Sequence, residues 1–296
     1  MNLILHSDDF GLHKDINRAI LEAAGQGVLT STSLLVNGPA VREAMDEVKS
    51  YPMLGVGIHL NILRGKPLSD PTEIPTLVDS EGHFLNSAWR LLLRSAAGKI
   101  STNHVYKEYR RQILFMMEHE LIPTHFDAEK HTHILVPEAV RAIKKLMTEF
   151  GIKKIRTINE SPINTMLGSM GVPLNGSIKQ RLKLPLLEYR SRAASKQWEG
   201  FKSTDFTFGV LISGRIAYPN TLEILKAIFR LQSPLTLEWM FHLGYLADLK
   251  STRYQRQFGS FFLVETRIKE LRFILARETI EEIEGNKERL MSYREL

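Results

Sequence analysis

Residues 1–36 read MNLILHSDDFGLHKDINRAILEAAGQGVLTSTSLLV, and this stretch decides the fold. A short apolar run, Leu3–Ser7, ends on Asp8 and Asp9. Ile16, Ala19, Ile20, Ala23 and Ala24 then recur at helical spacing, and Gly25 and Gly27 close the pattern. Ser31–Val36 is a second short run, stopped by Asn37-Gly38. A strand, a helix and a strand in so few residues form a βα unit, which builds parallel sheets and barrels.

The same alternation continues outward. Val41–Ser50 has a helical pattern, and Val56–Leu60 is a third strand that carries His59. A helix through Val105, Tyr109, Ile113 and Met117 spans Val105–His119, and Thr124–Asp127 follows as a strand. Val140, Ile143, Leu146, Met147 and Phe150 form a further helical stripe, stopped by Gly151. Lys154–Thr157 is a short strand candidate. Phe206–Leu211 and Leu235–Phe241 are later strands with a helix, Thr221–Leu231, between them, and Val264–Glu284 reads as one terminal helix. Two segments break the rhythm: 64–101, with Pro67, Pro71 and Pro75, and 160–200, whose periodicity is weak. Both are expected to be insertions that shape the substrate cleft, the first covering one end of the fold and the second lying over the active face. No fixed-period repeat is present, so residues 1–296 are expected to form one α/β domain.

Composition narrows the chemistry. Hydrophobic residues at 43% and charged residues at 24% describe an ordinary globular chain and exclude a disordered one. With no cysteine, disulfides, thiolate metal sites and a cysteine nucleophile are excluded. A metal would be held by His, Asp or Glu, which suits Zn, Mg or Mn. The apolar start is broken by His6, Asp8 and Asp9 and lacks the basic opening of a signal peptide. No stretch approaches the roughly 18 apolar residues of a membrane helix, so a cytoplasmic protein without a membrane span is expected. The net charge of +6 is dispersed, apart from modest clusters at Lys179–Lys183 and Arg267–Arg277. Dispersed charge reads as a solvated surface, and no nucleic-acid partner is expected. The terminal helix is expected to pack on the core; a homodimer or membrane-surface face is the alternative.

The reactive residues fall at strand ends. Asp8 and Asp9 follow the first strand, His59 ends the third, and His125, Asp127, Glu129, His131 and His133 cluster at the next. Arg156 lies near the end of another, and His242 follows the last. In a parallel barrel all strand C-termini meet at one rim, so these residues would face one pocket. Each has a plainer reading: Asp8-Asp9 as a turn or helix cap, His59 and His242 as core histidines. The stretch 125–133 resists it. If it were extended throughout, residues 125, 127, 129, 131 and 133 would share one face, and a polar face inside a fold is unfavourable unless something binds it.

Taken in order, these residues resemble a known family. Ser7-Asp-Asp-Phe-Gly11, Thr30-Ser-Thr-Ser33 with Val36-Asn37, Gly55-Val-Gly-Ile-His-Leu-Asn61 and Gly65-Lys-Pro-Leu68 are similar to the YdjC-like family, also called ChbG/HpnK. Thr124-His-Phe-Asp127 with His131-Thr-His133, Arg156 with Asn159-Glu160, Glu238 through Tyr245, and Arg267-Ile-Lys-Glu-Leu271 fit the same pattern. The resemblance implies a NodB-like incomplete (β/α) barrel with parallel strands. It also implies a hydrolase that uses one divalent metal to remove acetyl from an N-acetylated sugar. It would make Asp8 the general base, Asp9 and His59 metal ligands, and His242 the general acid, leaving Arg156, His131 and His133 to bind substrate. The third ligand falls on Glu129, where the family usually has His. An Asp-His-Glu set is harder and favours Mg or Mn; His131 or His133 could replace it, or the metal could be lost. His6 also departs, standing where the family often has Asn. The competing expectations are another metal-dependent hydrolase, such as a phosphoesterase, and a non-catalytic sugar-binding relative.

Overall fold

The structure is a computed structural model that describes residues 1–198, 200–216, 220–245, 258 and 265–296. Among the described residues six strands form one sheet: β1 (Asn2–Phe10), β2 (Ser31–Leu34), β3 (Gly55–Leu60), β4 (Phe126–Ala128), β5 (Phe206–Phe208) and β6 (Thr236–Phe241). Their order is β4-β3-β2-β1-β6-β5, and every pairing is parallel. The sheet curls into a half-barrel with helices around it, as the βα rhythm requires.

In chain order the helices are α1 (Lys14–Gly25), α2 (Val41–Glu47), α3 (Ala88–Ala96), α4 (Thr102–Glu118), α5 (Thr132–Leu135), α6 (Pro137–Phe150), α7 (Ser161–Ser169), α8 (Ile178–Ser195), α9 (Asn220–Arg230), α10 (Thr266–Ile274) and α11 (Arg277–Glu284). Helix α1 buries Ile16, Ala19, Ile20 and Ala23, and His13 caps it by accepting from the Asp15 amide. Helix α6 begins with Pro137, buries Val140, Ile143, Leu146 and Met147, and ends at left-handed Gly151. Among the described residues no helix is long and apolar enough to cross a membrane.

Three expectations about elements change. Lys154–Thr157 makes only single bridges, Phe126 to Ile155 and Lys154 to Lys202, so it is an irregular strip between the β4 and β5 edges. Residues 160–200 are largely helical, as α7 and α8; their weak periodicity reflects helices that touch the core along a narrow stripe. The terminal helix is two helices broken at Leu275-Ala276, and Val264 lies outside the described residues.

Side chains alternate across the strands, and the two faces differ in kind. Outward, Leu237, Trp239 and Phe241 of β6 join Phe208 and Phe273 in an aromatic cluster, with rings 5.1–6.2 Å apart. Inward, the strands carry His6, Asp8, His59, His125, Asp127 and Glu238, all buried. The chain end closes the base of this polar interior. Leu290 bridges to Leu3, and the Tyr293 ring stacks on His125 at 3.7 Å while its hydroxyl donates to Glu238 Oε2 at 2.6 Å. Gly57 on β3 makes room for His125: a Cβ there would lie 2.3 Å from His125 Cε1. Gly57→Ala is therefore expected to destabilise the fold by about 1–3 kcal/mol, the usual effect of overpacking. Urea unfolding at constant m would measure it, and an unchanged midpoint would show that His125 is free to move aside.

Candidate metal centre and active site

The site sits where parallel strands end, and its backbone is bent to make it. Pairing of β1 with β2 slips by one residue between Ser7 and Phe10, and Asp9 has a φ of +72°. A regular strand would send Asp8 and Asp9 to opposite faces; the bulge with a left-handed residue turns both into the pocket. A second bend follows β4. The alternation of His125, Asp127 and Glu129 holds, but Lys130 (φ +50°) and His131 (φ +58°) are left-handed and start α5. The extended reading of 125–133 thus fails after Glu129.

Asp9, His59 and Glu129 come together: one ligand atom from each lies within 4.8 Å of the other two, and all three are buried. His59 Nε2 is 3.9 Å from Asp9 Oδ1 and 3.6 Å from Glu129 Oε2, too far for hydrogen bonds. The opposite atom of each group is already held. His59 Nδ1 contacts Asp127 Oδ1 at 2.9 Å and Ser33 Oγ at 3.1 Å. Arg267 Nη2 bonds Asp9 Oδ2, and Arg64 Nε pairs with Glu129 Oε1 at 3.0 Å. Burial would disfavour charge on His59, but the Asp127 carboxylate outweighs it and holds the imidazole pKa well above its ordinary value. Burial likewise opposes charge on Glu129, yet Arg64 and His59 bring its pKa down to about 2.

Beside this triad lies Asp8. Arg156 clamps it with Nη1 at 3.1 Å and Nη2 at 2.8 Å, and His6 Nδ1 is 3.2 Å away. Burial opposes its charge, but Arg156 overcomes this and keeps the carboxyl well below the usual range. Partly exposed His242 presents Nε2 3.8 Å from Asp8 Oδ2, and its backbone N–H donates to Glu270 Oε2 at 2.5 Å. Burial lowers the His242 pKa against the pull of Asp8.

Two of the substrate-binding expectations meet a different geometry. Arg156 has no surface exposure; besides Asp8 it bonds Glu238 Oε1 at 2.9 and 2.7 Å and pairs with Asp127 Oδ2 at 2.9 Å. It positions carboxylates and has no face for a ligand. His133 is also fully buried, donating from Nε2 to the Arg156 carbonyl at 3.0 Å and stacking near Trp198. Half-buried His131 lies beside it, with ring centres 6.3 Å apart.

The sequence reading assigned no role to Arg64, Arg267, Glu238 or Tyr293, and left that of His6 open. His6 is now explained: Nδ1 accepts from Arg156 Nη2 at 2.8 Å, and Nε2 meets His125 Nε2 at 3.1 Å. Arg267 had a visible signal, since it stands four residues before buried Leu271 on the core face of α10. The roles of Arg64 and Tyr293 had none.

With the geometry established, comparison with known proteins places the chain. A family model described as YdjC-like protein matches residues 2–284, so the chain belongs to the YdjC-like family. It is 34% identical over 164 residues to a carbohydrate deacetylase of Halalkalibacterium halodurans, covering 55% of this chain and 67% of that protein. It is 35% identical over 162 residues to a carbohydrate deacetylase of Clostridium beijerinckii, covering 54% and 62%. A chitooligosaccharide deacetylase of Serratia marcescens is 36% identical over 133 residues, covering 45% and 50%. These alignments span a half to two thirds of the relatives' own length. A crystal structure from Enterococcus faecalis, provisionally described as a cellobiose-phosphate cleavage protein, shares the fold: TM-score 0.70, 23% identity, covering 99% of this chain and 97% of that one.

Two buried carboxyls give the site region a pH signature. Glu160 accepts from the Val210 and Leu211 amides and Glu270 from His242, yet burial raises both to about 7 from an ordinary 4.5. Between those values the folded chain binds more protons than the unfolded chain. The stability they contribute is therefore full below about 4.5 and lost as pH rises through about 7. Unfolding free energies from urea titrations are expected to fall between about pH 5 and pH 8, on the order of 1–3 kcal/mol per group. Glu270→Gln should flatten that slope; an unchanged slope in the variant would remove Glu270 from the account.

Proposed function

We propose that this protein is a metal-dependent carbohydrate deacetylase that hydrolyses the acetamide of an N-acetylated sugar or oligosaccharide. The observation that carries the reading is the triad's arrangement. Asp9 Oδ1, His59 Nε2 and Glu129 Oε2 converge on one point while Arg267, Asp127 and Arg64 hold the other atom of each. Fixing the far nitrogen of a histidine so that the near one carries its lone pair inward is how metal sites set the tautomer. Charge supports the same reading. Among the described residues, the carboxylates of Asp8, Asp9, Asp127, Glu129 and Glu238 outnumber the three guanidiniums that pair with them, of Arg64, Arg156 and Arg267. A divalent cation held by the triad would add to the compensation that these guanidiniums and nearby Lys130 provide. The ligand set, rich in oxygen, favours Mg or Mn over Zn.

A divalent ion in that position supplies Lewis acidity, acidifying water and polarising the amide carbonyl. The chain's own residues do the rest. Asp8 stays ionised across the working range because Arg156 clamps it, and it stands to accept the proton of the attacking water. An amine anion is a very poor leaving group, so the sugar nitrogen must be protonated as the C–N bond breaks. His242 lies across the mouth from Asp8 and is the residue placed to deliver that proton. Burial lowers its pKa, and the Asp8 carboxylate beside it opposes that shift and favours the protonated form that a general acid needs. Half-buried His131 remains the histidine available to contact the sugar. The names of the curated relatives support acetylated carbohydrate over a phosphate ester as substrate.

The purified protein, stripped of metal and reloaded, is expected to release acetate from N-acetylglucosamine oligosaccharides only when reloaded. Asp8→Asn should keep metal by elemental analysis and lose roughly 100-fold or more in kcat. Asp9→Ala and His59→Ala should lose metal and activity together. Phosphate release from sugar phosphates without acetate release would overturn the reading. Separately, His242→Ala should slow acetamide hydrolysis by roughly 100-fold or more while sparing aryl acetates, whose leaving groups need no proton. Equal losses on both substrates would exclude His242 as the acid.

A further inference from the structure

We propose that α8 is a docking surface for an anionic lipid bilayer, seating the protein with its active-site mouth beside the membrane. Helix α8 turns Leu184, Leu187, Glu188, Ser191 and Ala194 towards the core. On the other side Ile178, Leu182, Leu186 and Tyr189 are 78%, 75%, 54% and 68% exposed. At 3.6 residues per turn these four fall within an arc of about 100°, and Pro185 lies in the same arc. Single exposed apolar residues are ordinary on soluble proteins. A continuous stripe along one helix is not.

The charges around the stripe identify what it meets. Exposed Arg181 and Arg192 border it on one side, and exposed Lys179 with half-buried Lys183 on the other. The helix has one acid, Glu188, which is buried and accepts from the Glu160 and Ser161 amides at 2.8 and 2.6 Å. An apolar stripe between two basic borders, with no exposed acid, is the pattern of a helix lying in a lipid interface. Anionic headgroups answer both borders at once. A second copy docked through the same face would set Arg and Lys against Arg and Lys with no exposed acid on the helix to offset them, so self-association is disfavoured.

Two further observations place the stripe relative to the rest of the molecule. Helix α3 carries Trp89 and Leu93, 69% and 51% exposed and four residues apart, with Arg90 and Arg94 beside them. It is tied to the same corner as α8: Ser95 Oγ donates to Glu138 at the start of α6 at 2.5 Å, and Arg190 of α8 donates to the Leu135 carbonyl at 2.9 Å. Helix α8 is bonded to α5 through Arg190, and α5 starts at Thr132, three residues after Glu129, so α8 lies beside the metal centre. The mouth and the proposed lipid face therefore adjoin. This inference stands apart from the deacetylase reading and is tested without measuring activity.

The intact protein would be sedimented with vesicles of phosphatidylcholine alone and of phosphatidylcholine mixed with phosphatidylglycerol. Binding to the anionic vesicles only, weakened by salt, is the expected result. The triple variant Ile178→Ser, Leu182→Ser, Leu186→Ser should keep its circular dichroism and lose roughly tenfold or more in binding. Should that variant fail to fold, Arg181→Gln with Arg192→Gln leaves the stripe intact and should still weaken binding several-fold. Failure of the native protein to bind either vesicle would overturn the proposal, as would undiminished binding by the folded variants. A dimer seen by light scattering that the triple variant dissolves, without any vesicle binding, would assign the face to self-association instead.

Discussion

A guanidinium without access to water, that of Arg156, joins three strands of the half-barrel through their carboxylates. It meets Asp8 from β1, Asp127 from β4 and Glu238 from β6, and bonds His6 as well. Burying these groups separately would be prohibitive, and burying them together is tolerable only because each compensates another. Removing one partner of such a buried cluster typically costs about 3–5 kcal/mol, which makes the arrangement close to all-or-none. The orientation of Asp8, and with it the chemistry at the mouth, follows from this one residue. Around it the polar interior is sealed by its own ring stack, with Tyr293 from the chain end lying on His125 and donating to Glu238.

The second constraint is local strain held by that surrounding order. Asp9, Lys130 and His131 sit at positive φ although none is glycine, and such conformations cost on the order of 1–3 kcal/mol each. They are kept by fixed neighbours: Asp9 itself is gripped by Arg267, and Glu129, just before Lys130 and His131, by Arg64. The strain and the grip together aim the remaining oxygens at His59 Nε2. The three candidate ligand atoms are thus held by fixed partners, which is the preorganisation that a metal or catalytic site needs.

The two faces of the sheet divide the labour. Stability comes from the outer face, where aromatic and aliphatic side chains pack under the helices. Function uses the inner face, where almost every side chain is polar and satisfied by another. Helices α7 and α8 cover part of this polar end and leave an apolar, basic-edged stripe outward.

The sequence by itself determined the βα rhythm, the parallel sheet, the positions of β1, β2, β3 and β6 to within a few residues, and the set Asp8, Asp9, His59, Glu129 and His242 at strand ends. Those features are legible because they depend on local periodicity and on the rule that parallel strands end at one rim. Resemblance to a family supplied the roles, and pattern alone did not. Tertiary structure decided the rest. That adjacent Asp8 and Asp9 share a pocket required a bulge no periodicity reveals; that Arg156 serves Asp8 and not a ligand required its burial; that 125–133 turns after Glu129 required two left-handed residues with ordinary side chains. The partners that complete the site, Arg64, Arg267 and Tyr293, lie 65, 138 and 164 residues from Glu129, by subtraction of their positions. Contacts across such distances are fixed by packing, and a local reading of the chain has no means to pair them.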